Sequence, residues 1–450
     1  MIPELRSLFN ERFTPDRYTS LLRLVEERCG IKVEYRIAET PIFLPLGLLR
    51  EMAAAGAEMT HSLLANTAYL AAARAAIPAG YDVGGQTPHP NFLTADFALV
   101  RNAARELVPR LVEIQAFPSV YGYQDVLTTA YRDAYELPSG LGSLLSGLDE
   151  AGYWALMART ILGCHDPENV VLTELDPRNQ KTLPDFEVTA RRLGIAVVDI
   201  RSLEAKGNKL YYRKSSGQSG SSRMVPIHRI YNRAIADELM ARAVRLPFDM
   251  TRAWDVEWAG HPNWYFLISK FSIPWLSTAR GPSRPSAHFS MVPPAVFVDE
   301  FLEGNGRAHL VAAGVALPAG TGPETVYGEL LLKPLFSFAG KGIQFDPTQA
   351  QLEAIPAARR KDFLLQQRMR FEHNIETPCG LTQAEIRILY LWPDSSGSDG
   401  TGSDESKLTP VLSLVRLGRG KMMGVDHNKN QEWVGSSAAF FMENARQESR

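Results

Sequence analysis

The sequence predicts an α/β protein, with α+β features, assembled from more than one sheet. Three stretches carry that prediction. ENVVLTELD (168–176), a helix-patterned run over 184–193 and GIAVVDI (194–200) are spaced as strand, helix, strand, the pattern of a parallel βαβ unit. FLTADFALV (92–100) and PRLVEIQA (109–116) read as two strands separated by a polar stretch, hence a hairpin or an adjacent pair. After about 325 the runs VYGELLLKPL, KGIQF, DFLLQQRMR and AEIRILYLW read as a further sheet. At 450 residues the chain is too long for one ordinary core, so two or three subdomains are expected.

Taken in order, residues 4–29 read as one amphipathic helix, and 32–45 as a strand-like stretch broken by prolines. Residues 46–75 are Ala-rich and helical, and a new unit begins near 150. KSSGQSGSSRM (214–224) is expected to be a hairpin tip or loop, with VPIHRIYNR (225–233) returning as a strand. PDSSGSDGTGSDES (393–406) reads as a loop between two strands, and there is no internal repeat. The expected units are 1–148, 149–300 and 301–450.

Composition narrows the function classes. Hydrophobic residues make up 45% and charged residues 22%, ordinary for a globular protein, and the formal net charge of −2 gives no general attraction to nucleic acid or anionic lipid. Cys29, Cys164 and Cys379 lie far apart and form no CxxC pair, which fits a reducing compartment and not a disulfide framework. MIPELRSLFNERF lacks an apolar signal core, and the run YLAAARAAIPAG is too short for a membrane span. A cytoplasmic, soluble protein is expected.

Two stretches carry chemistry. In LVEIQAFPS (111–119), strand alternation puts Glu113 and Gln115 on one face, a pair of oxygen-bearing side chains suited to a hard cation such as Mg²⁺. In LLLKPLFSFAGKGI (330–343), a strand delivers Lys333 into a loop with Gly340 and Gly342. Small residues let backbone N–H groups close on an anion, and the lysine supplies a point charge for phosphate. The pattern is not a Walker A loop, so a hairpin lid over phosphates competes with a plain hairpin bearing a surface lysine. DFLLQQRM offers Gln366 and Gln367 as a hinge whose backbone meets an adenine, against an ordinary sheet strand. Arg387 with Glu385, then Arg416, Arg419, Lys421 and Asn428, sit on successive strand patterns. Arginines facing a phosphate site stabilise charge spread over phosphoryl oxygens; on a solvated sheet they are bland.

In order, KP-x5-GKG, QQRM, EIRILYL and RGK…GVDHNKN…WVGSS are similar to the second half of an ATP-grasp domain. The strands that usually close that domain come early here: FLTADFALV supplies Asp96, and LVEIQAFPS supplies Glu113 and Gln115. The rotated order resembles the circularly permuted ATP-grasp family, which includes glutathionylspermidine synthase-like ligases. HPNWYFLISKFSIPWL (261–276) is similar to the family segment whose lysine, here Lys270, reaches the nucleotide phosphates together with Lys333. The 168–200 unit resembles the inserted pre-ATP-grasp domain. The resemblance implies ATP and Mg²⁺ as cofactors. Asp96, Glu113 and Gln115 would hold the metal. Lys270, Lys333, Gly340, Gly342, Gln366, Gln367 and Asn428 would hold the nucleotide, and Arg387 and Arg416 would be catalytic. The implied reaction joins a carboxylate to an amine through an acyl phosphate, releasing ADP and phosphate.

Two departures bear on that expectation. Gln115 stands where the family's E-x-N strand has Asn, and Thr94 stands where the glutathionylspermidine synthases place an arginine, with Arg101 nearby in sequence as a stand-in. They support a second reading, a nucleotide-binding protein that has lost turnover and acts through a partner. A third keeps ATP chemistry but uses another acceptor, such as a hydroxyl. Among lesser candidates, Cys164-His165 reads as a helix end or buried thiol and not a dyad. Arg229 and Arg233 share a face and suit either a carboxylate clamp or ion pairs, and His228 reads as structural or lining. HNKN (427–430) makes a poor zinc site, and the Trp-rich run 252–264 reads as packing.

Overall fold

The computed structural model describes residues 1–215, 222–277, 286–337, 340–395, 406–423 and 430–442. Its largest sheet draws strands from both ends of the chain, in the spatial order Ile42–Phe43, Gly435–Met442, Thr409–Gly418, Gly380–Leu391, Phe92–Arg101, Leu107–Gln115. All neighbours are antiparallel except the first pair. AEIRILYLW therefore does not continue the sheet of Lys333, as its place in the sequence suggested; it pairs with the Asp96 strand, residue 387 opposite 96.

The two faces of this sheet differ. On one, Leu93, Ala95, Phe97, Ile386, Ile388 and Val415 pack into the main core with the Leu46–Ala65 helix. On the other, Phe92, Leu389, Leu391 and Leu414 pack against the parallel-sheet unit. Farther along that same face the side chains become Asp96, Arg387, Glu385 and Arg416. One strand face thus changes from packing to charge within two to four residues.

The strand–helix–strand expectation holds: Val170–Glu174 and Ala196–Asp199 pair in parallel across the Leu183–Leu193 helix, with Arg229–Asn232 and Glu257–Ala259 extending the sheet. The single strand expected over 225–233 is two. Ser222–Pro226 closes an antiparallel sheet with Lys209–Ser215, and the chain then turns into Arg229–Asn232. Pro226 has no N–H to continue the first ladder, and His228 N instead donates to Asn169 O at 2.8 Å. A fourth sheet runs Ala295–Phe297, Phe363–Gln367, Leu330–Pro334, Gln344–Phe345.

Prolines and caps correct the other long elements. The single helix expected over 4–29 is split into Pro3–Arg12 and Pro15–Cys29. Pro15 forces Thr14 into extended backbone (φ −137°, ψ 150°), and the Thr14 hydroxyl then caps the second helix. Likewise 46–75 is two helices, because Asn66 ends the first and its side chain accepts from Tyr69 N at 3.0 Å to start the second. Only Ile42–Phe43 of the 32–45 stretch is a strand. Among the described residues no helix is long and apolar enough to cross a membrane.

Candidate functional site

The charged patch begins with a bulge. Asp96 pairs with Glu113 and Thr94 with Gln115, but Phe97 already faces Leu111, so Val112 is an extra residue. That extra residue lets Leu111 and Ile114, three apart, both enter the main core while Glu113 and Gln115 point to the Asp96 face. The strand face expected from alternation is thus present, and the bulge aligns it with Asp96.

Asp96 is almost wholly buried, at 1% exposure. Arg387 donates to both of its oxygens at 2.6 Å, and Arg416 reaches Oδ2 at 3.2 Å. Burial alone would raise this carboxyl; the two guanidiniums outweigh it and hold Asp96 below the usual range. Arg416 also pairs with Glu385, whose pKa burial raises. Glu113 is held more loosely, 3.6 Å from Lys270 Nζ and 3.8 Å from Arg387 Nη2. Arg101 lies at the far end of the Asp96 strand, bonded to Glu372 at 2.8 Å. The arginines beside Asp96 are the expected Arg387 and Arg416, not Arg101.

Two lysines arrive from outside this sheet. Lys270 follows the short Trp264–Leu267 helix, and its Nζ donates to Ser337 O at 2.5 Å, tying the segment after Pro334 to Glu113. Lys333 is 3% exposed and has no hydrogen-bond or ion-pair partner among the described residues. Burial pushes its pKa down to about 8, against the opposing pull of Glu113 and with the help of Lys270. It is therefore not the exposed lysine of a plain hairpin. Lys333 pairs with Leu364 and Leu331 with Gln366, so Lys333 and Gln366 share a face. Gln366 is fully buried, and both its amide oxygen and nitrogen lack a hydrogen-bond partner among the described residues. Gln367 falls on the opposite face, with its backbone N–H donated to Pro294 O at 2.8 Å. Gly340 and Gly342 have φ of +72° and +79°, which L side chains rarely adopt, and a Cβ on Gly342 would meet Pro334 at 3.0 Å. Asn428 lies outside the described residues.

A second buried network reaches the patch through the FPS turn. Ser119 Oγ accepts from Arg387 Nη1 at 3.1 Å, and the Ser119 carbonyl accepts from Arg233. Arg233 in turn pairs with buried Asp185 at 2.8 Å. Arg229 and Arg233 do share a face, and both are engaged by carboxylates, Arg229 by Glu257 and Asp394. Cys164 is exposed, which removes the buried-thiol reading, and His165 bonds to Glu257 at 3.1 Å. Sequence reasoning assigned no role to Glu385 or Ser119. The signal for Glu385 was its spacing two residues before Arg387; Ser119 carried none.

Oxygen donors of the kind a hard cation takes are present in Glu113 and Gln115, neither tightly bonded. Among the described residues no group of three or more His, Cys, Asp or Glu is gathered as a metal site. The unpartnered Lys333 and Gln366 suit an anion and a hydrogen-bonding ring, as a nucleotide presents.

No family model matches the chain, and no curated protein matches it. Among solved structures, a glutathione synthetase-like effector from Globodera pallida, in its apo form, superposes over 95% of this chain and 96% of its own, with a TM-score of 0.52 and 11% identity. At that identity the likeness is one of fold: the chain is a mixed α/β protein with an architecture similar to that effector's.

Proposed function

We propose that the chain is an ATP-dependent carboxylate–amine ligase of the circularly permuted ATP-grasp kind. The nucleotide would bind between the sheet of Lys333 and the sheet of Asp96 and Glu113. The observation that carries this reading is the convergence of Lys333, Lys270, Arg387 and Arg416 on Asp96, Glu113 and Glu385 from separate sheets and segments, with Lys333 unpaired among the described residues. In this reading residues 1–148 and 301–450 supply the two sides of the nucleotide site, and 149–300 holds the inserted parallel-sheet unit and the segment that brings Lys270 to the site. Lys333 and Lys270 hold phosphate oxygens, and Gln366 reads the base edge. Glu113, Gln115 and Asp96 would hold Mg²⁺, which when bound would screen the phosphate charge. Arg387 and Arg416 neutralise charge spread over the transferred phosphoryl group. A substrate carboxylate attacks the γ-phosphorus and releases ADP. An amine then displaces phosphate from the acyl phosphate to form the amide. The loop at Gly340 and Gly342 acts as a lid that keeps water from that intermediate.

The test is calorimetric binding of ATP with and without Mg²⁺, on wild type and on Glu113→Ala/Gln115→Ala. Asp96 is spared because its removal would strand the buried Arg387 and the partly buried Arg416. Micromolar, metal-dependent binding that the double variant loses supports the reading; folded protein that binds no nucleotide ends it. A second reading, a nucleotide-binding protein without turnover, is favoured by the engagement of both Asp96 oxygens by Arg387. Nucleotide binding with no ADP release across a panel of carboxylate and amine pairs would favour it.

A further inference from the structure

The parallel sheet holds a second candidate site that the phosphoryl chemistry does not use. Its strands stand in the order Glu257–Ala259, Arg229–Asn232, Val170–Glu174, Ala196–Asp199. The chain builds rightward from Val170–Glu174 and then returns to build leftward, so the order reverses between Val170–Glu174 and Arg229–Asn232. Ligands of open parallel sheets bind beyond the carboxyl ends of the strands at such a reversal. There Thr173 and Asn232 are register partners, 0% and 1% exposed, and Thr173 Oγ1 and Asn232 Oδ1 have no hydrogen-bond partner among the described residues. The Asn232 amide nitrogen faces Ala234 O at 3.5 Å, which leaves the oxygen as the free acceptor.

A cavity of about 10 Å³ adjoins Asn232, walled also by Tyr81, Phe117, Leu239, Met250 and Tyr265. That is room for one water-sized group. The hydroxyl of Tyr265, one of the walls, donates to Asp237 Oδ2 at 2.7 Å; Asp237 stands behind that wall and not in the lining, and its Oδ1 has no partner among the described residues. Asp237 lies in the field of Lys270 and Lys341, and Tyr265 in that of Glu113, so the cavity stands beside the charged patch and not remote from it. The lining offers the Asn232 acceptor oxygen and the rings of Tyr81, Phe117, Tyr265 and Phe266, and no cation, which suits a small donor with positive charge and not an anion.

We propose that this cavity is the subsite for the ammonium head of the amine substrate, with Asn232 Oδ1 as its acceptor and Asp237 as its charge partner. Calling the ligand a substrate rests on the ligase reading; the recognition of an ammonium group does not. The probe is methylammonium chloride on the full-length protein, read by thermal unfolding against sodium chloride and tetramethylammonium chloride at equal ionic strength. Methylammonium at tenfold its dissociation constant is expected to raise the midpoint by about 2 °C beyond both controls. Tetramethylammonium has no N–H and is too large for the cavity. Asn232→Leu should abolish the difference and Asp237→Asn should reduce it; if the leucine variant does not fold, Asp237→Asn and Tyr265→Phe carry the test. Equal midpoints in all three salts, as a cavity holding only a structural water would give, overturn the proposal, and so does a difference that survives the variants. ATP binding retained without any methylammonium response sinks this inference alone. A methylammonium response without ATP binding sinks the ligase reading alone.

Discussion

The two sheets that flank the proposed nucleotide site are incomplete in opposite ways. On the large sheet the buried charges are cross-linked: Asp96 to Arg387 and Arg416, and Arg416 to Glu385. On the smaller sheet Lys333 and Gln366 are as deeply buried and, among the described residues, have no hydrogen-bond or ion-pair partner. A buried polar group without a partner destabilises the fold, so its presence calls for a compensating role. The difference teaches where ligand binding would add most: the large sheet is set in shape by its own ions, while the smaller sheet waits for a partner to satisfy it.

The largest expected effect breaks the cross-linked side. Asp96→Ala leaves Arg387 and Arg416 short of a carboxylate and should cost about 3–5 kcal/mol in urea unfolding. A loss under about 1 kcal/mol would show that the sheet does not depend on these ions.

The opposite sign is expected on the other side. Lys333→Met should raise stability by about 2 kcal/mol without nucleotide and lower ATP affinity at least tenfold. The pH dependence sharpens this. The folded pKa of Lys333, about 8, lies below its ordinary value of 10.5. Between those values the unfolded chain binds the extra proton, so this group makes stability rise with pH across that window. The methionine variant should lack that rise. Glu174 gives the converse: burial raises it to about 8 from 4.5, so it makes stability fall with pH over that range, and Glu174→Gln should flatten the fall.

Smaller again, Gln366→Leu removes two unpartnered polar atoms at similar volume and should stabilise by about 1 kcal/mol. It should also erode discrimination between ATP and GTP; unchanged discrimination would detach this residue from the base. Least of all, Arg101→Ala deletes a half-exposed pair with Glu372 and should change stability by under about 0.5 kcal/mol, with ADP release unaffected. A large loss of turnover there would return Arg101 to the acyl-phosphate role weighed from the sequence.

Much of this arrangement was legible in the chain. The parallel unit, the Asp96 and Glu113 strands and the Lys333 hairpin follow from hydrophobic period and turn residues, which are local signals. The assignment of AEIRILYLW to the wrong sheet shows the limit, since pairing partners almost 300 residues apart leave no trace in spacing. The Val112 bulge was hidden for a related reason: only the opposing strand reveals an extra residue. The breaks at Pro15 and Asn66 were readable from capping chemistry, and the amphipathic pattern running through them concealed it. Burial is the third invisible quantity. A lysine without a partner reads as a surface residue until the fold covers it.

The large sheet also has a consequence for the chain's synthesis. The Phe92–Arg101 strand lies between Leu107–Gln115, its neighbour in sequence, and Gly380–Leu391, whose Arg387 comes 291 residues after Asp96. At about 5–20 residues per second, that partner leaves the ribosome roughly 15–60 s later. Throughout that interval a nascent chain carries an apolar hairpin with one open edge and an uncompensated carboxylate. Slow synthesis would prolong that state, and a holdase that covers the edge would raise the yield of native protein.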